Sequence, residues 1–310
     1  MTTPDAEDAA AERFASVLGD TLAHAANEAL VLVRLEEYFH PKPAHLGASS
    51  ETVVELNENI RRTISAYGGP PQLIIQAHGE PKPRYDTYLS AAIGETIRMF
   101  DRCRTTVCRA QASMIGAHLL TTKPEFLKLP GDLVTQNFIR EHTSTIFWEH
   151  AETGFIRLAG YWDRVGQVLD FVFFSIRQYE RDGFSAVLDR IRSNALRMHP
   201  VLESTEAWEA LWTYKKSERP DGLQWLLSRR NLLVHSLLLR AGRTSEDEEL
   251  YESTFNHLDS RLRSGLAIGT PEEEINKLHS HLSAAASLFP HMLSLCRLYA
   301  PFSQARSEAS

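Results

Sequence analysis

The chain has 310 residues, is 43% hydrophobic and 24% charged, and holds 16 glycines and 14 prolines, which excludes a disordered or collagen-like chain and allows one large or two ordinary buried cores. Its formal net charge of −7 excludes a nucleic-acid-binding coat spread over the whole surface. No stretch approaches about 18 uncharged apolar residues, and the opening MTTPDAEDAAAER lacks the basic-then-apolar order of a signal peptide, so a cytoplasmic protein that does not engage a membrane is expected.

Residues 6–39 are rich in Ala, Leu and Glu at helical spacing, and HPKP at 40–43 stops that helix. A second helix is predicted over 51–67, closed by the GGPP turn at 68–71. The short QLIIQAHG after it has no partner strand and reads as a packed connector. Residues 85–120 are proline-free and helix-prone, with Gly94 and Gly116 as weak points. KPEFLKLPGD at 123–132 is the predicted boundary between an N-terminal helical region, 1–125, packed on a bundle, and the bundle domain itself, 133–300.

From 133 to 180 there is again no proline, which predicts one very long helix or two meeting near Gly160, closed by Asp182 and Gly183. Shorter helices follow over 184–196 and 205–216. Asp221 and Gly222 open the next helix and Gly242 ends it, with Arg240 in the last turn where the dipole favours a cation; its length is about five turns. Ser245 with Glu248 makes a capping box for a helix to about 264. Thr270, Pro271 and Glu273 combine an N-cap, an N1 proline and a capping glutamate, opening a last helix expected to break or bend near Pro290 and to end in a flexible tail, 301–310. With no strand-rich region and no repeat, the expected fold is all-α, a helical bundle of long antiparallel helices.

The three cysteines, Cys103, Cys108 and Cys296, form no C-x2-C pair and read as buried thiols. Among the thirteen histidines, His279 and His281 are two apart and diverge on a helix, while His24 with Glu28 and Glu36 with His40 supply too few ligands for a metal; surface or capping roles are expected. Trp148, Tyr161, Trp162, Trp208, Trp212 and Trp225 offer stacking platforms for bases, but long helices must bury something large, and core or dimer-interface positions are the expected ones. Asp163 and Arg164 lie among these aromatics and read as an ion pair, with a supporting role beside a functional site as the alternative.

The helix over 221–242 is the most informative stretch. Gln224, Ser228, Asn231 and His235 fall within a stripe about 60° wide, surrounded by leucines, so the helix is apolar on nearly every side and expected to be central. Arg230 lies in line with Leu226, Leu233 and Leu237, where an uncompensated guanidinium is costly. Residues 215–243 carry Lys215, Lys216, Arg219, Arg229, Arg230, Arg240 and Arg243 against Glu218 and Asp221, a local balance of +5 in a chain of −7. That concentration suits phosphate binding, and equally a solvated loop and helix end.

Arg230, the Asn231 beside it and His235, an R-x4-H spacing, resemble the signature of the HEPN superfamily (higher eukaryotes and prokaryotes nucleotide-binding domains), as does the run GYWDRVGQVLDFVFF at 160–174. The looser spacing also joins Arg34 to His40 and Arg192 to His199; the neighbouring asparagine and the apolar helix single out Arg230 and His235. The likeness covers about residues 135–300. It implies a dimeric helical bundle and a metal-independent, cofactor-free endoribonuclease, such as a toxin held by an antitoxin or another protein partner, or an antiviral effector. His235 would be the acid/base group, Arg230 the phosphate stabiliser and Asn231 a positioning residue. Arg229, Lys215, Lys216 and Asp163 would contact or support the RNA substrate. A HEPN-like module that binds RNA or a partner without catalysis is the second reading, and a metal-dependent helical enzyme the third.

Overall fold

The computed structural model describes residues 4–39, 85–123, 133–174, 183–235 and 268–308. Among the described residues the secondary structure is helical throughout, without strands, and the fold is an all-α bundle. The helices expected over 51–67 and 245–264, the connector QLIIQAHG and the stretch 236–243 lie outside the described residues. The chain divides into two units, Met1–Lys42 and Pro43–Ser310. The first contains one long helix, α1 (Pro4–Phe39).

In the second unit, three long helices carry the packing: α2 (Tyr85–Thr122), α3 (Leu133–Phe174) and α8 (Pro271–Glu308). Between α3 and α8 come α4 (Phe184–Arg190), a π turn (Ile191–Ala195), α5 (Leu196–Met198), α6 (Glu206–Lys216) and α7 (Leu223–His235). The long helices share one rule. Buried positions alternate steps of three and four, as Leu89, Ile93, Thr96, Phe100, Cys103, Val107 and Ala110 do on α2. Leu158, Tyr161, Val165, Val168 and Val172 do so on α3, and Ile275, Leu278, Leu282, Ala285, Phe289, Met292 and Cys296 on α8. Such spacing keeps a narrow apolar seam facing a partner helix over many turns.

Helix α3 has a second buried stripe, with Trp148, Phe155, Trp162, Leu169 and Phe173. The shorter helices lie on it: the Trp162 ring is 4.9 Å from Phe184 of α4 and 4.6 Å from Tyr214 of α6, and Phe155 is 5.6 Å from Trp225 of α7. Hence α3, and not the helix bearing Arg230, is the central element. Five of the six aromatics expected in the core or at an interface are core residues, and Trp212 is half-buried.

Direction is fixed by pairs of contacts. Phe100 meets Tyr161 edge-on at 6.0 Å, and Thr106 accepts a hydrogen bond from Arg157, so α2 and α3 are antiparallel. The Tyr161 hydroxyl donates to the Ala285 carbonyl at 3.0 Å and Tyr299 donates to the Phe173 carbonyl at 3.4 Å, so α8 runs parallel to α3. The expectation of antiparallel helices thus holds for one of these pairs and not for the other.

The helices on either side of the stretch 123–132 pack along one another, as an N-terminal region packed on the bundle requires, and the chain's division into two units falls near residue 42. Helix α8 starts as expected: Thr270 N donates to Glu273 Oε2 at 2.8 Å and Glu273 N to Thr270 Oγ1 at 3.3 Å, a capping box. It then continues past Pro290, where a break or bend is expected, to Glu308. Phe289 and Met292 flank the proline and are fully buried, and that packing offsets the one backbone hydrogen bond a proline removes.

The α3–α4 contact generates a test. A Cβ at Gly166 would lie 2.9 Å from the Phe184 backbone, whereas one at Gly160, on the same helix, would meet nothing nearer than Met99 Cε at 3.8 Å. Gly166→Ala is expected to destabilise the protein by roughly 1–3 kcal/mol through overpacking. Gly160→Ala should stabilise it by about 0.5–1 kcal/mol through backbone entropy. Urea denaturation of the two variants beside the wild type measures both signs.

Candidate functional site

Helix α7 begins at a tight turn. Gly222 N donates to Arg219 O at 2.8 Å, and a Cβ on Gly222 would come within 2.3 Å of Ser217 O, so only glycine fits. Gln224 then fastens the helix to the end of α6, its Nε2 donating to Lys215 O at 3.0 Å. Leu223, Trp225, Leu226, Arg229 and Leu233 face the core, while Asn231 and Val234 are exposed. Helix α7 is therefore one-sided, where the sequence suggests an apolar surface nearly all round.

The two neighbouring arginines have opposite fates. Arg229 is 2% exposed, and its Nη2 donates to both carboxylate oxygens of Glu274 at 3.0 Å. Its guanidinium also lies 4.9 Å from the Trp225 ring and 5.5 Å from Phe155. Glu274 is fully buried and accepts further from Gly269 N at 2.9 Å and Lys277 Nζ at 2.7 Å, so its oxygens are well supplied with donors. The costly buried guanidinium foreseen at Arg230 is thus found at Arg229, and it is compensated. Arg229 serves the core in this geometry and offers no fork to solvent.

Arg230 is half-buried at the edge of the helix, and its Nη1 donates to Asn231 Oδ1 at 3.0 Å. Its charge acts on Asp163 of α3. Burial pushes the Asp163 carboxyl above its ordinary range, and the positive charges of Arg230 and then Arg164 oppose that rise. Asp163 also abuts the start of α4, its Oδ1 lying 2.8 Å from where a Gly183 Cβ would be. Arg164 donates to Gln167 at 3.0 Å. Arg230 and Asn231 are thus joined on α7, and the charge of Arg230 reaches Asp163 on α3. His235 is the last described residue of α7, one turn after Asn231.

The two lysines belong elsewhere. Lys215 is buried, paired with Asp189 of α4, and its ammonium is 4.3 Å from the Trp212 ring. Lys216 is exposed and 5.1 Å from the same ring. The +5 segment thus contains two cations that are already neutralised, Arg229 and Lys215. Sequence reasoning missed Glu274 and Asp189, their partners; the signal available for Glu274 was its place in the acidic first turn of α8.

His281, expected at the surface or at a cap, is fully buried. Its ring stacks on Trp225 at 5.6 Å, and its Nδ1 is 3.3 Å from the Tyr214 hydroxyl. His279 is half-buried, and burial lowers its pKa. Among the described residues no group of three or more His, Cys, Asp or Glu side chains is placed to hold a metal ion, and no helix is long and apolar enough to cross a membrane. Comparison with protein-family models, with curated proteins and with solved structures found no match to this chain.

Two outcomes follow for stability. Glu274→Ala takes the carboxylate away from the buried guanidinium of Arg229 and should cost about 3–5 kcal/mol, whereas replacing both partners by apolar residues, Arg229→Met with Glu274→Leu, should cost less. Chemical denaturation of the single and double variants decides this. Burial holds the His281 pKa down to about 4, so the unfolded chain takes up the proton first. Stability should fall as the pH drops through about 6.5 and the loss should be complete below about 4, a span worth roughly 3 kcal/mol. Denaturation midpoints at pH 7 and 4.5 should differ by less in His281→Phe than in the wild type.

Proposed function

We propose that the chain is a metal-independent endoribonuclease of HEPN type, acting with Arg230, Asn231 and His235. The observation that carries the reading is the outward position of Arg230 beside Asn231, coupled in charge to Asp163, while its neighbour Arg229 is locked to Glu274. RNA brings its own nucleophile, the 2′-hydroxyl. A base must remove its proton, a cation must stabilise the charge that builds on the phosphorus oxygens, and the departing 5′-oxygen must be protonated. Histidine suits the proton transfers because it titrates near neutrality, and arginine suits the phosphate because its planar fork matches the oxygens.

A homodimer fits this chemistry. Arg230 and His235 are about 140° apart around one helix axis, and a two-fold axis beside α7 brings two copies of each to one cleft. Substrate contacts fall to the outward cations, Lys216 among them, with Asp163 in support. A cytoplasmic toxin with a protein antitoxin, or an antiviral effector, is the proposed setting. The second reading, an RNA- or partner-binding module without catalysis, gains from the neutralisation of Arg229 and Lys215, which leaves fewer free cations for a polyanion.

Incubation of the purified protein with RNA and with DNA in EDTA tests the proposal. RNA should be cut and DNA should not, leaving a 2′,3′-cyclic phosphate and a 5′-hydroxyl. His235→Ala and Arg230→Ala should each slow cleavage on the order of 100- to 10,000-fold while staying folded. Arg34→Ala, which removes a coincidental copy of the spacing, should cut as the wild type does. RNA bound but uncut by the wild type would favour the non-catalytic module. A His235→Ala variant as fast as wild type would remove the proposed acid/base group.

A further inference from the structure

The helix that follows Gly183 changes pitch in its middle. After α4 the backbone takes a π turn, Ile191–Ala195, in which Leu196 N donates to Ile191 O, five residues back. Such single turns are uncommon and recur at functional sites. Beside this one lies a cavity of about 500 Å³, with Asp189, Arg192, Leu196, Arg197, Pro200 and Glu203 on its walls. That volume is in the range of small-molecule sites. It belongs to no part of the Arg230 cluster.

The charges around the cavity do not cancel locally. Arg192 extends its guanidinium to 4.8 Å from the Trp212 ring, which Lys215 and Lys216 also approach, at 4.3 and 5.1 Å. Three cations on one indole attract its π face but repel one another. Asp189 balances Lys215. Glu203 is 3.9 Å from Arg192, both half-exposed, a contact of little worth in water. Lys216 and the exposed Arg197 have no such partner among the residues around the cavity and Trp212.

We propose that this cleft binds a phosphomonoester of a hydroxylated small molecule, with Arg192 and Arg197 on the phosphate. Two guanidinium forks supply the paired donors that phosphate oxygens accept, and the added anion relieves the repulsion around Trp212. Leu196 and Pro200 form an apolar wall for the organic part. The Glu203 carboxylate accepts from its hydroxyl or amino groups. A sugar phosphate and a nucleotide share this chemistry. The proposal is independent of the RNA-cleavage reading, because the two phosphate ligands, Arg192 and Arg197, are not assigned to that reaction.

Isothermal titration of the full chain with adenosine 5′-monophosphate, ribose 5-phosphate and adenosine tests it. The two phosphates should bind, more weakly as salt is raised, and adenosine should not. Equal binding of the phosphates assigns the site to sugar phosphates; tighter binding of the nucleotide assigns it to nucleotides. Arg192→Ala and Arg197→Ala should each weaken binding roughly tenfold or more, and both residues are exposed, so these variants keep the fold. Arg230→Ala should bind as the wild type does. The proposal is overturned if neither phosphate binds at millimolar concentration, if adenosine binds as well as the monophosphate, if both arginine variants bind unchanged, or if Arg230→Ala abolishes binding.

Discussion

Helix α3 cannot stand in water. From Phe147 to Phe174 nearly all of its side chains are buried or half-buried, Glu149 and Ile156 being the exposed ones, so the helix must be enclosed on every side. One long neighbour covers each of two seams, α2 and α8, and the short helices between α3 and α8 close the remainder. Three of the short helices, α4, α6 and α7, are held by aromatics from α3: Trp162 against Phe184 and Tyr214, Phe155 against Trp225. The position of α7, and with it that of Arg230, follows from the need to cover Phe155.

Enclosure also sorts the charges. Arg229 points to the Phe155 side of α7 and survives there because Glu274, itself supplied by Gly269 N and Lys277, sits opposite. Arg230, one residue on, is turned by about 100° and reaches the boundary with solvent, where a half-buried carboxyl on α3 feels its field. Adjacent arginines thus divide into a structural cation and an outward one by helix geometry alone. The same division separates Lys215 from Lys216 on α6.

Local signals in the sequence were sound wherever a short stretch decides the outcome. The Thr270-Pro271-Glu273 start, the helices over 184–196 and 205–216, and the burial of the large aromatics all appear as expected. What could not be read is what depends on a partner far along the chain. The choice between Arg229 and Arg230 for the interior rests on Glu274, 45 residues away, and a helical wheel of α7 contains no trace of it. Likewise His281 is buried because Trp225 and Tyr214 arrive from other helices, and α8 is continuous at Pro290 because α3 packs beside it. The parallel course of α8 is a matter of topology, which periodicity does not encode. Asp163 was legible as a polar residue among aromatics, but its relation to Arg230 needed the α3–α7 contact.

The parallel pairing of α3 with α8 has a consequence for the order in which the protein acquires its structure. The bond from Tyr161 to Ala285 spans 124 residues, and that from Tyr299 to Phe173 spans 126, so these contacts carry a large loop-closure entropy and are expected to form late. A chain emerging from the ribosome can pair α2 with α3 early, yet one seam of α3 stays uncovered until α8 has been synthesised. During that interval the Glu274 carboxylate is not yet beside Arg229, and an apolar helix face is open to chaperones or to another nascent chain. Docking of α8 is therefore the step that closes this bundle, after which both the core and the outward-facing edge of α7 become defined.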